Sequence, residues 1–98
     1  MLDPMETTRL EELTLVKRVV EGDHEAIMVL NDLGLRHIVD ITQDYAPKNS
    51  AEMLKILRRG FVGYYKAMKP YLSEGNYKKH KFTTYSTYFI RKEVRELL

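Results

Sequence analysis

The residues with the most chemical content lie near the end of the chain, where Tyr85, Tyr88, Phe89, Lys92 and Arg95 crowd into a few turns. On an α-helix, at about 100° per residue, Tyr85, Tyr88, Lys92 and Arg95 share one arc, with Phe89 on its shoulder. Ser86, Ile90, Val94 and Leu97 share the arc that packs inward. Outward aromatics interleaved with cations suit single-stranded nucleic acid, because bases stack on rings for roughly 1–3 kcal/mol each while Lys and Arg neutralise the phosphates between them. Lys78, Lys79, His80 and Lys81, just upstream, extend the cationic track. The competing reading is structural: tyrosines at helical spacing are often partly buried with a wet hydroxyl, and a lysine run is often a solvated loop.

Other chemistry is sparse. His24, His37 and His80 sit at no metal-ligand spacing, and there is no HExxH, no phosphate-binding glycine loop and no cysteine nucleophile. His37, beside an apolar stripe, reads as a packed helix histidine. Gly60 and Gly63 lie in a helical pattern without a preceding strand, which points to close helix packing. Glu11, Glu12, Asp23 and Glu25 stand near helix starts, where the macrodipole favours anions. The chain is therefore not expected to be an enzyme, and no cofactor or metal is implied.

The elements that must position the last helix all read helical. Leu13, Val16, Val19 and Val20 repeat at helical steps until Gly22, which predicts a helix over 10–21 with a glycine C-cap. Asp23 caps a second helix whose stripe of Ala26, Ile27, Leu30, Leu33, Ile38, Ile41 and Tyr45 runs to Ala46-Pro47. Ser50 caps a third, of about 20 residues, in which Leu54, Leu57, Phe61, Tyr64, Tyr65 and Met68 recur towards Leu72. A polar basic loop follows from Ser73 to His80, and Thr83 caps the final helix.

Ninety-eight residues hold one core, so the organisation expected is a tail over 1–9 and one all-α domain over 10–98, a compact bundle of about four helices. Zero cysteines exclude disulfides and thiolate metal sites. No apolar run approaches the roughly 18 residues that cross a bilayer, and the start from Met1 to Glu6 lacks the basic and apolar segments of a signal peptide, so a cytoplasmic protein with no membrane partner is expected. The overall charge of +2 hides an asymmetry: residues 1–47 carry 4 Lys/Arg against 10 Asp/Glu, net −6, and residues 48–98 carry 12 against 4, net +8. The basic half calls for an anionic partner, with nucleic acid favoured over a membrane surface because no basic helix shows a broad apolar face.

The stretch Lys81-Phe-Thr-Thr-Tyr-Ser-Thr-Tyr-Phe-Ile-Arg-Lys-Glu-Val-Arg95 resembles the Lys-Phe-Ser-Thr-Tyr-Ala-Thr-Trp-Trp-Ile-Arg signature of region 2 of bacterial sigma factors of the sigma-70 family. Upstream blocks agree in order: Gly60-Phe-Val-Gly-Tyr-Tyr-Lys-Ala67 is similar to Gly-Asn-Ile-Gly-Leu-Met-Lys-Ala, Leu35-Arg36 with Val39 to the Asn-Leu-Arg-Leu-Val-Val helix, and Glu21-Gly22-Asp23 with Glu25-Ala26 to a Glu-Gly-Asp-x-Glu-Ala turn.

The resemblance implies a helical domain that helps RNA polymerase core recognise and open the promoter minus-ten element, with an unpaired base of the non-template strand held by aromatics. By that correspondence Phe82, Thr84, Tyr85, Tyr88 and Phe89 take the melting and base-capture positions, while Lys79, Lys81, Arg91 and Lys92 hold backbone phosphates; Arg95, from the outward arc, is a further DNA-binding candidate. Lys55, Arg58 and Arg59 fall on the polymerase-binding segment that meets the clamp helices, and Tyr64 is a further candidate for partner binding. There the family's Asp-Leu-Ile-Gln-Glu-Gly is Lys55-Ile56-Leu57-Arg58-Arg59-Gly60, so carboxylates have become cations. That reversal leaves a second reading open: a sigma-like interaction module for an acidic protein partner, with reduced promoter binding. An anti-sigma factor is a further partner the resemblance admits. Lys92 replaces the family's base-reading glutamine, and Gly34 replaces the asparagine of Asn-Leu-Arg.

Overall fold

The computed structural model describes residues 6–98, which form five α-helices and no strand. Helix α1 spans Arg9–Val20 and opens with a reciprocal cap: the Glu11 amide donates to Thr8 Oγ1 at 3.1 Å, and the Thr8 amide donates to the Glu11 carboxylate at 3.0 Å. It ends at Gly22, whose φ of +88° is the left-handed conformation that glycine adopts without a Cβ clash. Asp23 then caps α2 (His24–Thr42) by accepting from the Ala26 amide at 3.2 Å.

Three expectations about boundaries are corrected. Helix α2 stops at Thr42, and Gln43–Tyr45 tighten into a 3₁₀ turn before Ala46 turns left-handed. Asn49, not Ser50, caps α3 (Ser50–Lys66), its side chain accepting from the Glu52 amide at 2.9 Å. The expected helix of about 20 residues is two, α3 and the short α4 (Met68–Ser73). Pro70 explains the break: it has no N–H to give the Lys66 carbonyl, so the α3 ladder ends there. A second 3₁₀ turn over Asn76–Lys78 leads to α5 (Phe82–Leu97).

Helices pack most closely on α3. A Cβ at Gly60 would stand 2.5 Å from Ile38 Cγ2, and one at Gly63 would stand 2.4 Å from the Phe89 carbonyl oxygen. Both glycines are therefore contact points, the first with α2 and the second with the backbone of α5, as their helical setting suggested. The core closes around Val16, Leu30, Leu33, Ile38, Ile56, Tyr64, Tyr71, Phe82, Ile90 and Val94. Each such side chain contributes about 1.5–3 kcal/mol on burial, so the bundle is held chiefly by this cluster.

One buried polar group ties the ends of the chain together. Glu12, with 1% of its surface exposed, accepts from the Thr83 amide at 2.7 Å, from Thr83 Oγ1 at 2.8 Å and from Thr7 Oγ1 at 2.5 Å, and lies 3.6 Å from Lys81 Nζ. Thr83 was expected to cap the last helix. Instead it is the second residue of α5, whose N-cap Lys81 supplies no side-chain bond, and the acceptor for the first turn comes from α1. The tail expected over 1–9 lies partly outside the described residues, but Thr7 is buried, Thr8 caps α1 and Arg9 donates to the Tyr77 carbonyl at 2.5 Å. Glu12→Ala is expected to cost about 3 kcal/mol in denaturant unfolding, because it strands buried donors on Thr7 and Thr83. A loss below about 1 kcal/mol would show that solvent replaces the carboxylate and that the network is not structural.

Candidate nucleic-acid interface

Helix α5 divides its residues by four-residue steps. Phe82, Ser86, Ile90 and Val94 are all buried and face α3 and the core, a stripe that the i, i+4 rule generates. Leu97, expected on this face, is instead 40% exposed at the helix end. The opposite side carries Thr84, Tyr88, Lys92 and Arg95, all exposed, and Tyr88 leaves 63% of its surface in solvent.

The rings form a graded series from solvent to interior. Tyr88 meets Phe89 edge-on at 5.6 Å between centroids, Phe89 meets Tyr85 at 5.3 Å, and Tyr85 meets the fully buried Tyr71 at 5.3 Å. Tyr85 and Phe89 are half-buried, so Tyr71 and the core support them from behind. Burial raises the Tyr85 phenol above its ordinary pKa, and the nearby Glu74 carboxylate adds to the shift. Tyr71 is pushed further, to about 12, by burial, and its hydroxyl donates to the His80 carbonyl at 2.6 Å, fixing the basic loop to α4.

Phe82 does not belong to this surface. It is 0% exposed and packs at 5.1 Å against Tyr64 and 5.2 Å against Tyr71, so its expected place among the base-capture residues is corrected to the core. The step of four from Phe82 to Ser86 and Ile90 was visible in the sequence and would have assigned it inward.

The expected phosphate-holding cations also separate into two sets. Lys81 lies against Glu12, and Arg91 Nη2 reaches Asp44 Oδ2 at 2.5 Å. Lys79, Lys92 and Arg95 are exposed and have no carboxylate within ion-pair distance among the described residues. The second set presents charge outward. Arg91 therefore meets a strand with its Nη2 already engaged by Asp44.

The partner-binding set is redistributed in the same way. Tyr64 is 1% exposed and its hydroxyl donates to the Leu30 carbonyl at 2.9 Å, so it is a core residue and not a partner contact. Its ring fills the space that a Cβ at position 34 would enter at 2.7 Å, which is why Gly34 stands there. Arg59 is turned back onto α5, 3.2 Å from Glu93 and 3.8 Å from Glu96. Lys66 also bonds Glu93, and this contact above all holds the Glu93 carboxyl below its ordinary range. Lys55 and Arg58 alone of the three cations are exposed without such an anchor.

A groove that the sequence does not single out lies between α2 and α3. Met28, Asn31, Asp32 and Leu35 of α2 and Phe61 and Tyr65 of α3 line an open cleft of about 610 Å³. Tyr65 donates to Asn31 across it. The sequence stripe placed Phe61, Tyr64 and Tyr65 on one inward face, but only Tyr64 is buried there. Leu54, Phe61 and Tyr65, spaced seven and four apart, mark a second apolar arc on α3.

His37 joins α2 to α5, with Nε2 2.8 Å from Thr87 Oγ1. Burial holds its pKa below the usual imidazole value, against the opposing pull of Asp40. Among the described residues no group of three His, Asp or Glu could hold a metal ion, and no helix is long and apolar enough to cross a membrane.

The chain is 32% identical over 84 residues to RNA polymerase sigma factor SigA of a Bacillus species, and 34% identical over 84 residues to RNA polymerase sigma factor SigA of Listeria monocytogenes. Each similarity covers 86% of this chain and 21% of the relative, so the chain spans about a fifth of the length of the curated relatives it matches. The resemblance to the sigma-70 family drawn from the motifs thus extends to homologues over most of this chain. No protein-family model matches the chain. No solved structure matches it.

Proposed function

We propose that this chain is a sigma-like domain for transcription initiation, which works with RNA polymerase core and recognises the promoter minus-ten element by receiving unpaired non-template bases on Tyr88, with Phe89 and Tyr85 behind it. The observation that carries the reading is Tyr88: a large ring, 63% exposed, on a helix face shared with the outward cations Lys92 and Arg95. An exposed aromatic flanked by cations matches both needs of a single strand, a stacking surface and neutralised phosphates. The similarity to two sigma factors supports the same reading.

The mechanism follows from the placement. Taking a base out of the duplex stack costs a few kcal/mol. Stacking on Tyr88 returns roughly 1–3 kcal/mol per base, and the edge-on Phe89 ring stops Tyr88 from folding flat onto the helix. Lys79, Lys92 and Arg95 supply the phosphate contacts that need no carboxylate displaced, and exposed Thr84 can donate to the strand. Lys81 and Arg91 contribute less than their charge suggests, since Glu12 and Asp44 already engage them. Phe82 acts only by packing.

A second feature favours a protein partner at the opposite side of α3. The cleft between Met28, Leu35, Phe61 and Tyr65 offers apolar area, with Asp32 the one charged residue of its lining, and exposed Lys55 and Arg58 precede it along α3. A partner with acidic side chains around an apolar segment suits that surface. A basic partner meets like charge there, which can cost several kcal/mol at an interface. Within the proposed function this is the surface for RNA polymerase core, its contact complementary to cations instead of carboxylates.

For the DNA reading, Tyr88→Ala should weaken binding of a single-stranded minus-ten oligonucleotide by about 1–3 kcal/mol without lowering the melting temperature, since the ring is exposed. Unchanged affinity would contradict base capture. For the partner surface, core polymerase from the same cell should be retained by the wild-type chain in a pull-down and released by Lys55→Glu/Arg58→Glu; retention by the double variant would remove the charges from the interface.

A further inference from the structure

We infer that His37 of α2 is a positioning residue for the base-receiving face, acting through Thr87, and that it makes strand binding sensitive to protons. This rests on the proposed base capture at Tyr88. Thr83, Thr87 and Arg91 stand four residues apart, so they form one polar line along α5. Each is tied to a different place: the Thr83 amide to Glu12 of α1 at 2.7 Å, Thr87 to His37 of α2 at 2.8 Å, and Arg91 to Asp44 of the 3₁₀ turn after α2 at 2.5 Å. The outward line of Thr84, Tyr88 and Lys92 lies one residue further on, about 100° around the helix. Whatever turns the first line turns the second with it.

His37 is the one anchor of the three whose residue type changes charge near neutral pH, and it is only half-buried, so protons reach it. The Thr87 hydroxyl has a single proton, which it donates to the Thr83 carbonyl at 3.0 Å, so it accepts from His37 Nε2–H. Nδ1 is then the nitrogen that acid protonates. The charged groups facing the ring are Asp40 of its own helix, Glu12 of α1 and Arg91 of α5. Burial, the largest influence, and Arg91 disfavour the imidazolium, whereas Asp40, Glu12 and the Thr83 carbonyl favour it, and the net effect lowers the pKa. The packed line therefore keeps His37 neutral. A chain in which the line has loosened takes up the proton at the ordinary imidazole value, so acid below that value favours the loosened arrangement. Strand binding needs the packed one, because only there do Tyr88 and Lys92 face outward together.

The test follows the His37 imidazole and Tyr88 ring resonances of the full chain from about pH 8 to pH 5, and measures affinity for a single-stranded minus-ten oligonucleotide across the same range, for wild type and for His37→Gln, which keeps a donor to Thr87 that does not titrate. In wild type the Tyr88 signal should move with the His37 midpoint, below the ordinary imidazole range, and affinity should fall in acid by up to about tenfold, the factor that one pKa unit of coupling carries. Charging exposed His80 adds a cation to the basic loop and acts in the opposite direction, so it does not account for a fall. In His37→Gln the Tyr88 transition and the acid fall should both vanish, with circular dichroism showing both chains folded at each pH. A Tyr88 signal indifferent to the His37 titration, or the same acid fall in His37→Gln, would overturn the inference. If Tyr88→Ala leaves neutral-pH affinity unchanged, base capture fails, and the resonance comparison alone decides whether His37 positions the face.

Discussion

A carboxylate between the first and last helices bears directly on everything described for the surface. Glu12 is buried with three hydrogen bonds and one ammonium neighbour, and a charged group is tolerated in such a place only when its partners are complete. Its two bonds from Thr83 hold the first turn of α5. That turn sets the rotation of the helix, and the rotation decides that Phe82 points inward while Tyr88 points out. The same carboxylate engages Lys81, so the group that orients the aromatic face also subdues one of the cations beside it.

The glycines act on the same helix from the other side. Because Gly63 lets α3 approach the α5 backbone at Phe89 and Ile90, the helix is fixed in depth as well as in rotation. Glu93, bound by Arg59 and Lys66, then draws α5 towards α3 further along. A rigid helix costs little further ordering when it receives a flexible strand, which is why stacking residues work better on a packed element than on a mobile loop. Charge is apportioned in the same spirit. Carboxylates neutralise the cations that hold the bundle together, and Lys79, Lys92 and Arg95 are left facing water.

Much of this was legible in the residues. Periodicity gave the helical class, Gly22 and Asp23 marked the first turn correctly, and the motif from Lys81 to Arg95 picked out the last helix. The errors have identifiable causes. Tyr64 is not a partner contact because its ring fills the space over Gly34, a pairing 30 positions apart that no local pattern contains. Arg59 was counted among the surface cations because Glu93 lies far along the chain. Thr83 looked like a cap because threonine is a good one, and the buried acceptor from α1 could be found only once the ends of the chain were brought together. The groove escapes a reading of the aromatic stripe as one inward face, because α3 has apolar residues on two.

The claim at the centre is that the rings of α5 are sorted by burial into those that support the bundle and those that receive a base. Aromatic proton resonances followed during titration with single-stranded minus-ten DNA test this directly. The account predicts saturable ring-current shifts at Tyr88 and Phe89, smaller ones at Tyr85, and none at Phe82 or Tyr64. Shifts concentrated at Phe82 or Tyr64, or a Tyr88 signal that does not move, would contradict it.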